Sequence, residues 1–353
     1  MRLSQSIRYF FRNSPAVAGL GYFAAWIVVA SLAYLIIPDN SPHAGMQHLS
    51  VAKKPPFTSI DFLRIEDKKP RERTSFFSVL FSGKPNTATE IPIQSTKWRF
   101  QNDTLYYMHY SGEAIQQFIP QNRQFTVEKK HFYFGTDTFG RDVLSRLVLG
   151  ARVSIAVGIL ATLLSVVIGL IIGLAAGFFG GITDRILMGI IAVVWAIPTL
   201  LLAIVLGFVM GMGFWQLMLA IGLSNWVDVA RLVRGQVMGI RNLLYIEATR
   251  ALGLGKVRVM IKHIIPNIIS PLIIMAVSNF GSAILVESGL SFLGLGVGLE
   301  VPTWGRMVFE GYPFLVLENG KWLALIPGIA LILLVVSIHL IGNGLRDTFA
   351  LEK

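Results

Sequence analysis

The amino-acid sequence predicts an all-α integral membrane protein with six transmembrane helices and an extracytoplasmic, partly β insert between the first two. Three observations lead there. Hydrophobic residues make up 54% of the 353 and charged ones 14%, with a mean hydropathy of +0.62, too apolar for a soluble chain of this size. Apolar runs long enough to cross a hydrocarbon core of about 30 Å recur along the chain. Positions 38–134, by contrast, are polar, punctuated by proline and rich in aromatic residues.

Charge and cysteine usage exclude other classes. The formal charge of +11 and pI near 9.9 fit lipid headgroups and membrane topology rather than nucleic acid, because much of the basic excess flanks apolar runs. No cysteine is present, so disulfides and thiol chemistry play no part. A G-x-x-x-x-G-K-[ST] phosphate loop is also absent, since Gly83-Lys84-Pro85 lacks the leading glycine spacing, and ATP with its Mg would have to be held by another polypeptide. Without H-E-x-x-H, G-x-S-x-G or a pair of intramembrane carboxylates, the chain offers no catalytic residues, no metal site and no enzymatic role.

Taken in order, residues 1–37 form a cytoplasmic N-terminus and a first span. Arg2, Arg8 and Arg12 precede the run Ala16 to Ile37, which is longer than a signal-peptide core and has no small-x-small cleavage site where one is expected. It reads as an uncleaved anchor. Within the insert, 38–134, Lys97-Trp98-Arg99-Phe100 and Leu105-Tyr106-Tyr107 flank Asn102-Asp103, the pattern of a β-hairpin. A docking surface and a structural cap both fit its composition.

After the insert, Gly135-Thr136-Asp137 marks a turn, and Val143, Leu144, Leu147 and Val148 share a helical face suited to lying on the membrane surface. Arg141, Arg146 and Arg152 are expected at headgroup level. The second span, about Val153 to Phe179, repeats small residues every four positions at Ala161, Ser165, Gly169, Gly173 and Gly177, a ridge that admits a close neighbour. Pro198 falls inside the third span, Ile186 to Met210, and should kink it. A short fourth span, Phe214 to Val227, leads into a basic elbow at 231–267.

The elbow, with Arg231, Arg234, Arg241, Arg250, Lys256, Arg258 and Lys262 against the single acid Glu247, is short enough for the positive-inside rule to place it in the cytoplasm. Counting spans from a cytoplasmic N-terminus gives the same side. Tyr245 to Leu252 contains good helix formers; Gly253 and Gly255 are expected to stop it with left-handed backbone, and a second helical piece should end at Pro266. In the fifth span, Pro271 to Leu293, Glu287 is an acid inside an apolar run, costly unless paired or hydrated. Trp304, Tyr312 and Trp322 suit an interfacial belt, and a sixth span, Trp322 to Ile341, returns the chain to the cytoplasm. His339 reads as a structural histidine.

Several of these segments carry a resemblance. Glu247-Ala248-Thr249, Gly253 and His263-Ile264-Ile265-Pro266-Asn267 resemble the E-A-A loop of the membrane subunits of binding-protein-dependent ABC importers, and His263 resembles the peptide-transporting branch. Gly135 to Arg152, reading GTDTFGRDVLSRLVLGAR, Gly281 to Glu287, Leu290 to Gly296, Pro302 to Met307 and Gly342 to Asp347 are similar to the C-type subunit of oligopeptide and dipeptide systems. Asn343 stands where the family usually has Asp, and the following Asp-Pro is missing.

The resemblance implies the type I ABC importer permease fold, with a transmembrane domain over 135–347, a coupling loop at 231–267 and a cytoplasmic tail at 348–353. It implies a bacterial inner-membrane location with both termini cytoplasmic, a second permease subunit, two ATPase subunits and an extracytoplasmic substrate-binding protein. Tyr245, Glu247, Ala248, Thr249, Leu252, Gly253 and Pro266 would couple to the ATPase, Glu287 and Pro198 would serve the translocation path or its gating, and Gly135, Thr136, Asp137, Gly140, Arg141 and Asp142 form an outer-face motif. The alternatives are an ion-coupled secondary transporter in which Glu287 carries the coupling charge, and a membrane-anchored assembly protein working through the insert.

Overall fold

The computed structural model describes residues 3–66, 75–84, 88–101, 104–118, 125–298, 300–317 and 320–350. Its elements in order are α1 (Leu3–Arg12), α2 (Ser14–Ser31), α3 (Ala33–Ile36), β1 (Thr58–Glu66), α4 (Phe76–Ser82), β2 (Ala88–Gln101), β3 (Thr104–His109), β4 (Ala114–Phe118), β5 (Phe125–Phe132), α5 (Val143–Phe179), α6 (Gly181–Trp195), α7 (Thr199–Met210), α8 (Phe214–Arg241), α9 (Leu244–Ala251), α10 (Lys256–Val259), α11 (Ile265–Phe292), α12 (Trp304–Gly311) and α13 (Trp322–Ala350). Two compact units result: one of residues 1–26, 154–298 and 331–353, the other of 27–153 and 299–330.

The helical unit is built on the small-residue ridge. A Cβ on Gly169 would sit 2.5 Å from Cβ of Val229, one on Gly173 2.5 Å from the Ala230 carbonyl oxygen, and one on Gly177 2.8 Å from Cβ of Val237. Only hydrogen fits in those gaps, so α5 and α8 meet almost backbone to backbone. Leu174 and Phe178 of α5 and Val229, Val233 and Val237 of α8 then form a core with Ile264, Ile268 and Leu272. Arg234 of α8 binds Asp184 of α6 through two bonds of 2.6 and 2.7 Å, the bidentate geometry that suits guanidinium and carboxylate.

Among the described residues four helices are long and apolar enough to cross a membrane, or five if α6 and α7 count as one. Pro198 does more than kink the third span. It caps a break at which α6 and α7 diverge by 87°, because it cannot donate to the α6 ladder and disfavours helical backbone in the residue before it. The expected fourth span corresponds to the start of α8, whose apolar part is shorter than the ~20 residues a crossing needs before Asp228 and Arg231 arrive.

The second helical piece of the elbow does not end at Pro266. Helix runs from Lys256 to Phe292, with Met260–Ile264 in a π turn and Pro266 in the first turn of α11. A widened turn there relieves the clash that a proline ring makes with the carbonyl four residues earlier. Gly255 is a correction as well. Gly253 is left-handed (φ +71°), whereas Gly255 is extended (φ −60°, ψ 140°) and starts α10.

The other unit holds a five-stranded antiparallel sheet in the order β4-β3-β2-β1-β5. The expected hairpin is β2–β3, with Trp98 opposite Tyr107 and Arg99 opposite Tyr106; its turn, Asn102-Asp103, lies outside the described residues, as do Pro70, Pro85 and Pro120. Interior strand β1 is apolar on both sides: Leu63 and Ile65 join Ile93, Leu105 and Tyr107 on one face, and Ile60 and Phe62 join Val51 and Phe132 on the other. Burial on both faces accounts for apolar residues at both even and odd positions of this strand, interrupted by Asp61 and Arg64.

Candidate functional site

Each group of candidate residues has a defined place. Short helix α9 follows α8 after a single turn, and its fully buried Ile246 side chain enters the core formed by α5, α8 and α11. Thr249, one turn on, is also inward, with its hydroxyl donating to the Ile246 carbonyl at 2.7 Å. Its other described side chains face out. Leu244 and Leu252 are 83% and 79% exposed, and Tyr245, Glu247 and Ala248 are exposed with them. Two large aliphatic side chains in water are unfavourable by roughly 1.5–3 kcal/mol each relative to burial. Leu252 then gives way to the left-handed Gly253 that closes the helix.

Of the seven coupling candidates, Tyr245, Glu247, Ala248, Leu252 and Gly253 are thus brought together on one exposed patch. Thr249 supports the helix from within, and Pro266 lies in the first turn of α11. Sequence reading missed Leu244 and Ile246. The alternation of exposed Leu244, buried Ile246 and exposed Ala248 follows the opposed faces of a short helix, and its signal was the single isoleucine between polar neighbours.

Glu287 of α11 is fully buried in the isolated chain. Its carboxylate accepts from the Ser154 hydroxyl at 2.9 Å and the Ser291 hydroxyl at 2.8 Å, with Ser288 at 3.4 Å. Hydroxyl donors supply what water would otherwise give a buried acid. Pro198, at the α6–α7 break, is exposed.

The motif beginning at Gly135 is a buried framework rather than a headgroup-level strip. Gly135 (φ +76°) and Gly140 (φ +75°) are left-handed, and a Cβ on either would collide with backbone, the Lys54 carbonyl oxygen in one case and the His48 carbonyl oxygen in the other. Thr136 Oγ1 accepts from the Lys54 amide at 2.9 Å and donates to the Val51 carbonyl at 2.5 Å. Asp137 accepts from the amides of Phe139 and Arg141 at 2.8 and 2.9 Å and from Arg141 Nε at 2.6 Å. Asp142 caps α5 by accepting from the Ser145 amide at 2.9 Å. Burial, reinforced by the nearby Asp39 charge, holds the Asp142 carboxyl above the usual range despite those bonds.

Arg141 and Arg146 are both nearly fully buried, and both donate to Glu310 Oε2 at 3.0 Å, while Arg306 holds Oε1 at 3.1 Å. Carboxylates draw these arginines inward, which positive charge alone cannot foretell. Arg152 is half-buried and donates to the Leu80 carbonyl. Trp304 is likewise buried rather than interfacial, its indole N–H donating to the Leu147 carbonyl at 2.8 Å. Two segments whose contacts span 157 to 169 positions, the Gly135 motif and the Trp304 motif, therefore form one polar cluster.

Residues 150–349 match the family model described as the binding-protein-dependent transport system inner membrane component. The chain is 37% identical over 228 residues to the dipeptide transport system permease protein DppC of Alkalihalophilus pseudofirmus, covering 65% of this chain and 74% of that one. It is 40% identical over 215 residues to the oligopeptide transport system permease protein OppC of Salmonella typhimurium, covering 61% and 70%. A solved structure of the MetNI methionine ABC transporter in an inward-facing conformation aligns with TM-score 0.48 and 19% identity over 59% of this chain and 96% of that one. By the family model and by these relatives, the chain belongs to the family of binding-protein-dependent transport system inner membrane components.

Proposed function

We propose that this chain is the permease subunit of an ATP-driven importer of peptides, similar in role to the C-type subunit of oligopeptide and dipeptide systems. The observation that carries the reading is the face of α9: a helix pinned by Ile246, with Leu244, Tyr245, Glu247 and Leu252 outside. Two ATPase subunits hold ATP and Mg. One of them takes α9 in a cleft, and its closure is passed through Ile246 into the core shared with α8 and α11. A second permease, an extracytoplasmic binding protein and lipid complete the assembly. Exposed apolar side chains along α6 and α7, among them Ile190, Val193, Leu201 and Phe208, suit lipid or that second permease.

In this reading six spans arise from α2, α5, the α6–α7 pair, the start of α8, the continuous α10–α11 helix and α13. Both termini and α9 are cytoplasmic, the sheet is extracytoplasmic, and Pro198 and Glu287 belong to the moving parts of the path.

Single cysteines at Leu244, Ile246 and Leu252, in a chain free of native cysteine, test the coupling. With co-expressed ATPase, positions 244 and 252 should cross-link in a nucleotide-dependent way and 246 should not. Leu252→Glu should lower ATP-driven peptide uptake by about tenfold or more, the equivalent of ~1.4 kcal/mol of lost docking, without reducing the amount of protein in the membrane. Uptake that survives ATP depletion under a maintained proton gradient would instead favour coupling through Glu287.

A further inference from the structure

We infer that the sheet-containing unit carries a binding site for an extended peptide, which adds as a strand to the free edge of β5. The identity of the occupant rests on the peptide-import reading above; the site itself rests on geometry. In the order β4-β3-β2-β1-β5, strand β5 pairs with β1 and, among the described residues, with no strand on its other side. An unpaired edge presents a row of N–H and C=O groups ready to bond another chain.

A cavity of about 390 Å³ lies along that edge. Glu128, Lys129, Lys130, His131, Phe132 and Tyr133 all border it. Side chains alternate between faces in a strand, so six consecutive residues can line one space only if that space runs beside the backbone. At its far end the free edge is already closed, because the Phe132 carbonyl accepts from Gly135 N–H. The open stretch is therefore Glu128 to His131, enough for a peptide of three to five residues at about 3.3 Å per residue.

The facing wall explains what chemistry the peptide should bring. Asp39 and Asp142 border the same cavity and are both more than nine-tenths buried. Asp39 is satisfied by the amides of Ser41 and Met46. Among the described residues the Oδ1 atom of Asp142 has no hydrogen-bond partner, an expensive condition for a buried carboxyl oxygen. A cationic group, the peptide's terminal ammonium or a lysine or arginine side chain, would relieve it. Lysines often guard an exposed edge against strand addition, yet Lys130 is committed elsewhere, paired to Glu90 and lying 5.2 Å over the Phe62 ring.

The test uses the full chain in lipid nanodiscs without ATPase, carrying Lys129→Cys labelled with an environment-sensitive fluorophore. The ligands are the pentapeptide Lys-Val-Thr-Val-Lys, the same peptide N-methylated at alternate amides in either register, and its norleucine analogue lacking both side-chain charges. The unmodified peptide should give a saturable signal. At least one N-methylated form should bind about tenfold or more weakly, as expected for one or two lost hydrogen bonds, and the norleucine analogue should bind several-fold more weakly. In the unlabelled wild type, the unmodified peptide should slow amide hydrogen exchange across 128–132. Equal binding of all forms, or exchange in β5 that peptide leaves unchanged, overturns the site. The outcome separates from the transport reading: uptake that persists without edge binding rejects the site alone, and edge binding without ATP-driven uptake rejects the importer alone.

Discussion

Asp142 shows how one side chain in this protein serves geometry at an electrostatic cost. It caps α5, and burial raises its carboxyl above the ordinary range. A raised acid binds its proton more tightly in the folded than in the unfolded chain. Its contribution to stability is thus complete below about pH 4 and is lost as pH climbs through the raised value. Asp142→Asn keeps an uncharged acceptor for the cap and removes the titration. The melting temperature of wild type minus that of the variant should therefore fall by a few degrees between pH 4 and pH 7; thermal scans giving a constant difference would show that the carboxyl is not strained. Legibility at this scale was uneven. Gly135 stood out in the sequence because a turn was expected there, and it is left-handed, as is Gly140. Arg146 and Trp304 were misplaced at the membrane surface, because the carboxylate and carbonyl that bury them, Glu310 and Leu147, are 164 and 157 positions away. No local pattern records such a pairing.

Among the elements, α5 was the most readable. Its small residues every four positions announced a close neighbour, and the neighbour is α8. Two glycines make a paired prediction. Gly173→Ala places a methyl against the Ala230 carbonyl, whereas Gly189→Ala in α6 meets nothing within 4 Å. Alanine is the better helix former by about 1 kcal/mol, so the α6 change should leave the melting temperature equal or higher. The α5 change should lower it by several degrees, since overpacking costs about 1–3 kcal/mol. The same substitution then acts with opposite sign at two helical sites. Strands were harder to see. β2–β3 showed through its aromatic residues, but β5, FTVEKKHF, alternates around Glu128, Lys129 and Lys130, and charges on a strand edge mask the periodicity on which its recognition depends. The π turn at Met260–Ile264 was hidden because Pro266 reads as a helix stop when it is in fact accommodated in a first turn.

For the whole molecule, apolar content led correctly to a membrane protein and the motifs at Glu247, Gly135 and Pro302 to its family, while the number of crossings is less direct. The short apolar start of α8 and the 87° bend between α6 and α7 each take a segment below the length that identifies a span by itself. A six-span topology makes a simple prediction about sidedness. In intact cells or right-side-out vesicles, a membrane-impermeant thiol reagent should label Lys129→Cys directly and Leu244→Cys only after permeabilisation. Labelling of both without permeabilisation would break that topology.

The unbroken helix from Lys256 to Phe292 has a mechanical implication. A continuous helical shaft transmits torque, and the section that yields first is the one wound differently, the turn at Met260–Ile264, close to Pro266 and Pro271, which donate no backbone bond. Shifting the winding there by one residue would swing everything beyond it through about 100°. Ser291 and Glu287 travel on the far end of that shaft, so rotation applied near Lys256 would be felt at the carboxylate and its serine donors.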